Sequence, residues 1–341
     1  MISIDHKWRD GFCLVRLGEI LCQKFGHKVI YIRNGLEKYY LPLHSPDVVV
    51  WNHVLEESRR KLAKELVSQG KCVIILPTEG MPTMIKNREQ SSIAMPGIDL
   101  SSVSRFLFWG EYVRHTVLSH NSSLETRAAI VVGSPRFDVY HRLNSYLLTD
   151  KSILRSQLNL DSDSKIVLFA TNFVQAKFLK NIDFFINDIK KHVSPARTAK
   201  ENSELISIAT QSVQQDHKTR DIFLRAMRHV IDEIPGIVFL LKPHPQEEYL
   251  FYKNWLDEQP LEIRNRFRLI ENLQIWDCLN LCDIEVSRSC STAVESWLLN
   301  KPTIDLQLNP DDPYISEEHA RGSLIAKTSD ELTSQIRACL N

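Results

Sequence analysis

The stretch Ile237-Val238-Phe239-Leu240-Leu241-Lys242-Pro243-His244-Pro245 (IVFLLKPHP, residues 237–245) decides the predicted fold. Its five consecutive apolar residues predict a strand covered on both faces, as in a parallel sheet flanked by helices. The amphipathic segment 219–234 before it has helical spacing and ends at a Pro-Gly pair. Two prolines fix the backbone on either side of His244, so its imidazole projects from a rigid turn at the carboxyl end of the strand.

The same alternation of strand and helix recurs along the chain. Further strands are predicted at 29–32, 47–51, 71–77, 105–109, 128–132, 165–170, 267–270, 283–286 and 302–306, the last closing the second sheet. Helices are predicted at 12–24, 55–69, 275–281, 292–299 and 330–340 as well as 219–234. Such alternation is typical of an α/β protein built from Rossmann-like halves.

The length of 341 residues fits two domains. The polar, Asp- and Ser-rich end of segment 138–164 predicts the junction between them. We assign residues 1–145 to an N-terminal domain and 146–328 to a C-terminal domain. Residues 329–341 form a C-terminal helix that can pack back across the cleft. A charged insertion at 176–204 is predicted to be irregular.

Composition and charge restrict the class of protein. Hydrophobic residues make up 43% and charged residues 25% of the chain, the balance of a soluble globular protein. Lys plus Arg and Asp plus Glu number 42 each, which gives no electrostatic reason to expect nucleic acid as a partner. The seven scattered cysteines lack zinc-site spacing and are expected to be reduced thiols.

The expected location follows from what the sequence lacks. It shows no secretory signal, and no apolar run approaches the roughly 20 residues of a membrane span. We expect a cytoplasmic protein, with peripheral association at the inner face of the cytoplasmic membrane left open.

Ligands of parallel α/β sheets bind beyond the carboxyl ends of the strands, so side chains there are candidate site residues. Glu79 and Gly80 follow the strand at 71–77, where a carboxylate suits acid, base or nucleophile chemistry or serves only as a loop carboxylate. Arg136 follows the strand at 128–132, where its guanidinium suits a phosphate or carboxylate, or an ion pair with an acid such as Asp138.

Two turns of the second half favour phosphate binding. Lys242 adds positive charge beside His244, whose imidazole can donate a hydrogen bond to a phosphate oxygen. The run SRSCST (residues 287–292) precedes a predicted helix, and hydroxyls with backbone N–H groups at a helix N-terminus form an anion site. Glu295 lies one turn further on, where it binds a ribose hydroxyl pair or closes a capping box with Thr292.

Several common site motifs are absent from the sequence, namely GxGxxG, GxxxxGK(S/T), HExxH and GxSxG. With only 11 glycines, dehydrogenase and P-loop classes are excluded. The pair Asp311-Asp312 lies in a late loop rather than at a strand end. We expect no metal and no cofactor, because positive groups and a helix terminus can stabilise a departing phosphate.

Taken in order, six segments resemble the bacterial surface-carbohydrate biosynthesis proteins, a family of GT-B type, over most of the chain. They are Thr78-Glu79-Gly80, Phe108-Trp109-Gly110-Glu111, Val132 to Asp138, Ala170-Thr171-Asn172-Phe173, Lys242-Pro243-His244-Pro245, and Ser289 to Glu295 with Leu298 and Lys301-Pro302. The resemblance implies a GT-B-like fold, in which two Rossmann-like domains face a central cleft. It also suggests Gly80, Glu111, Arg136 and Asn172 as substrate or phosphate contacts.

The chain is also similar to bacterial sialyltransferases and capsule Kdo transferases of GT-B type, which carry an acidic-acidic-Gly motif, a His-Pro motif and a serine motif. This resemblance implies that Glu79 is the catalytic carboxylate of an acceptor-binding first domain. The second domain would then hold a CMP-linked donor through Lys242, His244, Pro245, Ser289, Ser291, Thr292 and Glu295. The implied reaction transfers Kdo or a similar 2-keto acid sugar to a surface or lipid-linked glycan of capsule, O-antigen or lipopolysaccharide.

Two alternatives stay open. Teichoic-acid-type transferases that use CDP-glycerol are similar through their Lys-x-His-Pro and Ser-Ser/Thr turns, which favours alditol-phosphate transfer. Thr78 stands where an acidic residue is usual, and this departure favours a non-catalytic GT-B scaffold in polysaccharide assembly.

Overall fold

The structure is a computed structural model that describes residues 1–78, 98–192, 199–312, 314–315 and 320–341. The chain divides into two compact units, Met1–Ser145 and Tyr146–Asn341. Each unit is built on a parallel sheet with helices, so the predicted α/β class is confirmed. None of the helices in the described part of the chain is long and apolar enough to cross a lipid bilayer.

The first unit contains one parallel sheet. Its strands are β1 (Ile2–Ile4), β2 (Tyr31–Arg33), β3 (Val48–Trp51), β4 (Cys72–Ile75), β5 (Arg105–Phe108) and β6 (Ala129–Val131). They lie in the order β2-β1-β3-β4-β5-β6. The direction of winding therefore reverses between β1 and β3, which makes this pair the switch point of a doubly wound sheet.

Helices connect these strands and cover the sheet. They are α1 (Phe12–Phe25), α2 (Glu37–His44), α3 (Glu57–Ser68) and α4 (Glu111–His120), with a π-helical turn at Lys7–Gly11 and 3-10 turns at Thr126–Ala128, Pro135–Tyr140 and Arg142–Leu147. The core contains Trp51, Val73, Phe106 and Phe108, each 1% exposed or less. Their strands are apolar on both faces, because helices cover the sheet on either side.

The second unit repeats this architecture. Its strands are β7 (Lys165–Ala170), β8 (Ile237–Lys242), β9 (Phe267–Leu269), β10 (Ile284–Ser287), β11 (Thr303–Leu306) and β12 (Leu324–Ala326), in the order β12-β11-β10-β7-β8-β9. Counted within the unit from its first strand, this is the 3-2-1-4-5-6 order of dinucleotide-binding folds. Its switch point lies between β7 and β10.

The helices of the second unit include one of 35 residues. They are α5 (Lys151–Gln157), α6 (Ile182–His192), α7 (Ala199–Glu233), α8 (Tyr249–Asp257), α9 (Leu261–Arg264), α10 (Ile275–Leu281), α11 (Ser291–Leu298) and α12 (Ser329–Leu340), with a 3-10 turn at Ala176–Asn181. Val167, Leu168 and Phe169 of β7 are fully buried, as expected for a central strand covered on both sides. The predicted strand at 165–170 is confirmed with these bounds.

Two short strands were not predicted. β1 is central in its sheet, since Ile2 pairs with Tyr31 on one side and with Val50 on the other. β12 pairs outside β11, so the prediction that segment 302–306 closes the second sheet is wrong. Neither strand lies in a continuous apolar run of more than three residues, so no local pattern marked it.

The prediction of an irregular insertion at 176–204 is also wrong for the described residues, which form a 3-10 turn, α6 and the start of α7. Ile182, Phe185 and Ile186 recur at helical spacing and are partly buried. Phe185 stacks on Phe178 with ring centroids 4.6 Å apart. The apolar spacing is therefore that of an amphipathic helix among charged residues.

The C-terminal helix α12, for which a return across a cleft was considered, packs within the second unit. Leu332 and Ile336 are fully buried in that unit's main core. The helix begins with Thr328, whose hydroxyl accepts the Glu331 N–H at 3.1 Å as an N-cap.

A buried arginine joins the loops at the carboxyl edge of the second sheet. Arg288 follows β10, and its side chain is 1% exposed. Its guanidinium donates to Asp216 of α7 at 2.8 Å, to Asp312 at 3.0 Å and to the main-chain oxygen of Asn172 at 2.9 Å. Burial alone would lower the pKa of Arg288, but the carboxylates of Asp312 and Asp216 outweigh burial and raise it. One buried charge thus holds three separate segments.

Replacing this arginine should destabilise the second unit strongly. Arg288→Met leaves two carboxylates buried without their cation, and we expect a loss of about 3–5 kcal/mol in the free energy of unfolding. Urea unfolding measures it. The matched control Arg127→Met removes an arginine whose side chain is 85% exposed, and it should change stability by less than about 0.5 kcal/mol. Equal small effects of both substitutions would contradict the role given to Arg288.

Candidate functional site

The switch point between β7 and β10 places three loops of the second unit side by side. Ala170 at the end of β7 pairs with Lys242 of β8 on one side and with Ser287 of β10 on the other. The loops that follow these three residues therefore begin side by side at the carboxyl edge of the sheet. Most of the predicted nucleotide-binding residues lie at the end of β8, in these loops or at the start of α11, namely Lys242, His244, Pro245, Ser289, Ser291 and Thr292. The β7 loop carries Asn172, predicted as a substrate or phosphate contact.

Glu247, which sequence reasoning missed, holds the His244 turn against the β7 loop. Its Oε1 accepts hydrogen bonds from the Thr171 hydroxyl at 2.8 Å and from the His244 N–H at 3.2 Å. Its Oε2 accepts from the hydroxyl of Tyr252 on α8. Burial raises the pKa of Glu247, and these donors act in the opposite direction. Glu247 therefore fixes the His244 turn in addition to the two prolines on either side of His244.

The orientation of the His244 ring follows from a local contact. Its Nδ1 accepts a hydrogen bond from the Gln246 N–H at 3.2 Å. Since Nδ1 is the acceptor, the proton of the neutral ring lies on Nε2. An imidazole in this state presents an N–H donor, the group that a phosphate oxygen requires.

Lys242 and Asn172 also make internal contacts at this edge. The Lys242 ammonium donates to the main-chain oxygen of Glu271 at 3.1 Å, and burial lowers its pKa. The main-chain oxygen of Asn172 is the acceptor for Arg288. Pro245 is exposed. Both loops are therefore anchored through backbone oxygens.

Two hydroxyls of the serine-rich turn, those of Ser289 and Thr292, contact different buried carboxylates. Ser289 has a left-handed backbone with φ of 41°, and its N–H and hydroxyl both donate to Oδ1 of Asp305, at 2.5 and 3.2 Å. Thr292 donates its hydroxyl to Oε1 of Glu285 at 2.7 Å. Both Ser289 and Thr292 are buried. Their hydroxyls therefore hold the turn in place through inward contacts.

The start of α11 lies in this turn. Cys290 is the N-cap and Ser291 the first helical residue. Glu295 lies one turn later and is 1% exposed. The capping box considered for Thr292 and Glu295 does not form, because Thr292 lies inside the helix. The backbone N–H groups at the start of a helix point along its axis, an arrangement that suits the binding of an anion.

Glu285 of β10 is a second residue that sequence reasoning missed. It is fully buried, and its Oε2 has no hydrogen-bond partner among the described residues. Burial raises its pKa from 4.5 to about 7, against the hydrogen bonds from Ser287 and Thr292, while the nearby Asp305 and Glu295 raise it further. A glutamate inside the apolar strand segment 283–286 was the signal available in the sequence.

The first unit holds the remaining predicted residues. Glu79 and Gly80 lie outside the described residues. Thr78, which follows β4, accepts a hydrogen bond from the Arg9 guanidinium at 3.1 Å. Arg9 also pairs with Asp10 at 2.7 Å and with Asp5 at 2.6 Å. The Arg9 guanidinium therefore contacts the residue that directly precedes the predicted catalytic Glu79.

A small pocket lies at the carboxyl edge of the first sheet. Its lining includes Thr78, Asp10, Cys13, Ser134 and the predicted contact Arg136. Sequence reasoning missed Asp10 and Arg9, since the strand that precedes them was not predicted.

Glu111 is not among the residues that line this pocket. It is the first residue of α4, its side chain is 74% exposed, and it pairs with Arg114 at 3.1 Å. An acid in the first turn of a helix also interacts favourably with the helix dipole.

The buried carboxyl of Glu285 predicts a pH dependence of stability. The folded state keeps a proton that the unfolded state loses, so this group lowers stability as pH rises from about 4.5 through about 7. Glu285→Gln removes the titration. We expect the stability of the variant relative to the natural protein to rise by on the order of 3 kcal/mol between about pH 5 and about pH 8.

Urea unfolding at both pH values measures that difference, and the exposed Glu258→Gln is the matched control. A difference between variant and natural protein that stays constant with pH would show that Glu285 does not titrate in this range.

The chain matches no family model and no curated protein sequence. It is similar to solved structures over nearly its whole length. The wall teichoic acid polymerase TagF is 14% identical with a TM-score of 0.58, over 98% of this chain and 78% of that one. UDP-GlcNAc 2-epimerase from Neisseria meningitidis, bound to UDP-GlcNAc, is 14% identical with a TM-score of 0.52, over 99% and 82%.

Anabaena HepE, in complex with UDP and glucose, is 13% identical with a TM-score of 0.53, over 100% of this chain and 89% of that one. Identities this low show the fold alone. The two parallel six-stranded units have the α/β architecture of GT-B enzymes, as the sequence predicted.

Proposed function

We propose that this chain is a glycosyltransferase that moves Kdo or a similar 2-keto acid sugar from a CMP-linked donor to a bacterial surface glycan. The observation that carries the proposal is the meeting of the His244 turn, the β7 loop and the start of α11 at the switch point of the second unit. Ligands of doubly wound sheets bind at that position. Structures of similar fold were solved with CDPG (CDP-glycerol), UDP-GlcNAc or UDP, which supports a nucleotide donor.

In this proposal the donor phosphate lies at the carboxyl edge of β8 and β10. His244 donates from Nε2 to a phosphate oxygen, and Lys242 supplies positive charge nearby. The backbone N–H of Ser291 and the dipole of α11 stabilise the phosphate further. Ser289 and Thr292 act by holding this turn through Asp305 and Glu285. Pro245 and Glu295 are the remaining residues assigned to the donor site in this proposal.

The first unit would bind the acceptor, a glycan or lipid-linked glycan, with Gly80, Glu111 and Arg136 as candidate contacts. Asn172 of the second unit is a further candidate contact for substrate or phosphate. Glu79 is the proposed catalytic carboxylate, either as the base that takes the acceptor hydroxyl proton or as a nucleophile. The bond between the anomeric carbon and the phosphate oxygen breaks, a new carbon–oxygen bond forms, and CMP leaves with the electron pair.

Donor binding tests the nucleotide assignment. We expect cytidine nucleotides, and not UDP- or GDP-linked donors, to raise the melting temperature, since saturation at about 100 times Kd stabilises a protein by about 2.7 kcal/mol. His244→Ala should lose most of this shift, while His217→Ala, at a residue of α7 whose side chain is 36% exposed, should keep it. Stabilisation by UDP or GDP compounds alone would contradict the CMP assignment, and no shift with any nucleotide would favour a scaffold.

Catalysis is tested separately from binding. Glu79→Gln should lower turnover by about 100-fold or more while the cytidine-induced melting shift persists, because loss of a general base or nucleophile leaves donor binding intact. The matched control is Glu125→Gln, whose side chain is 62% exposed in the first unit. Near-normal turnover of the Glu79 variant would exclude it as the catalytic group. A phosphodiester in the product would identify an alditol-phosphate transferase instead.

A further inference from the structure

Glu285 is a buried acid of β10 that faces the start of α11. Ile284 and Val286 on either side of it belong to the main core of the second unit. Because neighbouring side chains of a strand point to opposite faces, Glu285 points to the other face of the sheet. There its Oε1 accepts a hydrogen bond at 2.7 Å from the hydroxyl of Thr292, the second residue of α11. Glu285 therefore contacts the turn that the proposed function assigns to the donor phosphate.

Two further carboxyl groups are buried around the same turn. Asp305 of β11 accepts the Ser289 N–H at 2.5 Å and is 3% exposed, and Glu295 of α11 is 1% exposed. Both acids raise the pKa of Glu285, so their charges act on it. A phosphate at the start of α11 would add negative charge beside these acids. Where water is excluded, the repulsion between like charges is strong, and it favours the neutral form of an acid.

The other titratable groups near Glu285 come from the elements packed around β10. Leu168 of β7, its partner on one side, is apolar. Burial raises the pKa of the thiols of Cys278 on α10 and of Cys282 after it, so both are neutral at pH 7. Lys301 lies before the amino end of β11, where its ammonium donates to the main-chain oxygen of Cys282 at 2.6 Å. Burial raises the pKa of Glu285 to about 7, so this carboxyl exchanges its proton at neutral pH.

The contacts of Glu285 fit its neutral form. Its Oε2 has no hydrogen-bond partner among the described residues. An ionised carboxylate with a buried, unpaired oxygen is costly. A neutral carboxyl group carries its proton on Oε2 and still accepts the Thr292 hydroxyl through Oε1. Protonation of Glu285 therefore keeps the contact with α11 and removes one negative charge from beneath the helix start.

We propose that Glu285 is a positioning residue that couples donor binding to a proton: the site binds the anionic donor with Glu285 neutral, and an ionised Glu285 takes up a proton as the donor binds. The inference rests on the proposed function, which places the donor phosphate at the start of α11. The proton comes from water or buffer, bonds to Oε2, and returns to solvent when the nucleotide leaves. Below about pH 7 the proton is already present, and above it each pH unit lowers donor affinity by up to about tenfold.

The pH dependence of donor affinity tests the coupling. Calorimetry gives the Kd of the full chain for CMP-Kdo, with CDP-glycerol as a second probe, at about pH 6 and about pH 8. Glu285→Gln keeps an oxygen that accepts the Thr292 hydroxyl and cannot titrate. Between these pH values the affinity of the natural protein should fall by about tenfold relative to that of Glu285→Gln. Histidines also change charge in this range, but His244 is present in both proteins and its contribution cancels.

Proton uptake measures the coupling directly. Calorimetry at about pH 8 in buffers of different ionisation enthalpy counts the protons taken up with each bound nucleotide. We expect the natural protein to take up about one proton more than Glu285→Gln does. The matched control Glu258→Gln, at an exposed residue, should behave as the natural protein. A purely structural role of Glu285 would instead change the affinity by the same factor at both pH values and leave proton uptake unchanged.

A second variant keeps the proposal testable if Glu285→Gln does not fold, which its melting temperature shows. Glu295→Gln retains Glu285 but removes a charge that raises its pKa, so the fall in affinity should begin at a lower pH. Nucleotide binding whose pH dependence is the same in the natural protein and in both variants would overturn the coupling and leave the proposed function standing. If no nucleotide binds the natural protein, both fail.

Discussion

A buried guanidinium needs nearby carboxylates, and in the second unit this requirement fixes the geometry of the candidate site. Arg288 is bonded to Asp216 of the long helix α7, to Asp312 beyond β11 and to the backbone after β7. Each partner comes from a different loop or helix, so the β10 turn cannot shift without separating buried charges. The start of α11 is the next element along the chain, and its position depends on this constraint.

Buried carboxylates also fix the β8 turn and a second residue of the β10 turn. Glu247 gathers donors from Thr171, His244 and Tyr252, which ties the β8 turn to the β7 loop. Asp305 fixes Ser289 in its left-handed conformation. Buried polar groups with satisfied partners specify one arrangement of loops, whereas apolar packing alone would tolerate several. A preorganised edge of this kind suits the stabilisation of charge on a departing phosphate.

In the first unit, the side chains at the carboxyl edge of the sheet differ in character from those at the edge formed by β2 and α2. At the carboxyl edge, Arg9 links Asp10 and Thr78 around a small pocket. At the edge formed by β2 and α2, the inward pairing of Glu37 with Arg59 leaves lysines and aromatic rings outside. The pairing thus stabilises the interior and also sets the charge of the surface.

The sequence by itself determined the strands with continuous apolar runs, such as 165–170 and 237–241, the amphipathic helix α1 and the rigid turn at His244. These features depend on local spacing and on proline geometry, so a single segment contains the whole signal. Only the tertiary structure decided that β1 and β12 are strands, since they lack a long apolar run and are identified by the strands with which they pair. It also decided which way the hydroxyls of Ser289 and Thr292 point, and it brought Arg288 to partners 72 and 24 residues away. Ion pairs and pKa shifts of this kind arise where distant segments bury charged groups together, so the local periodicity of the sequence does not reveal them.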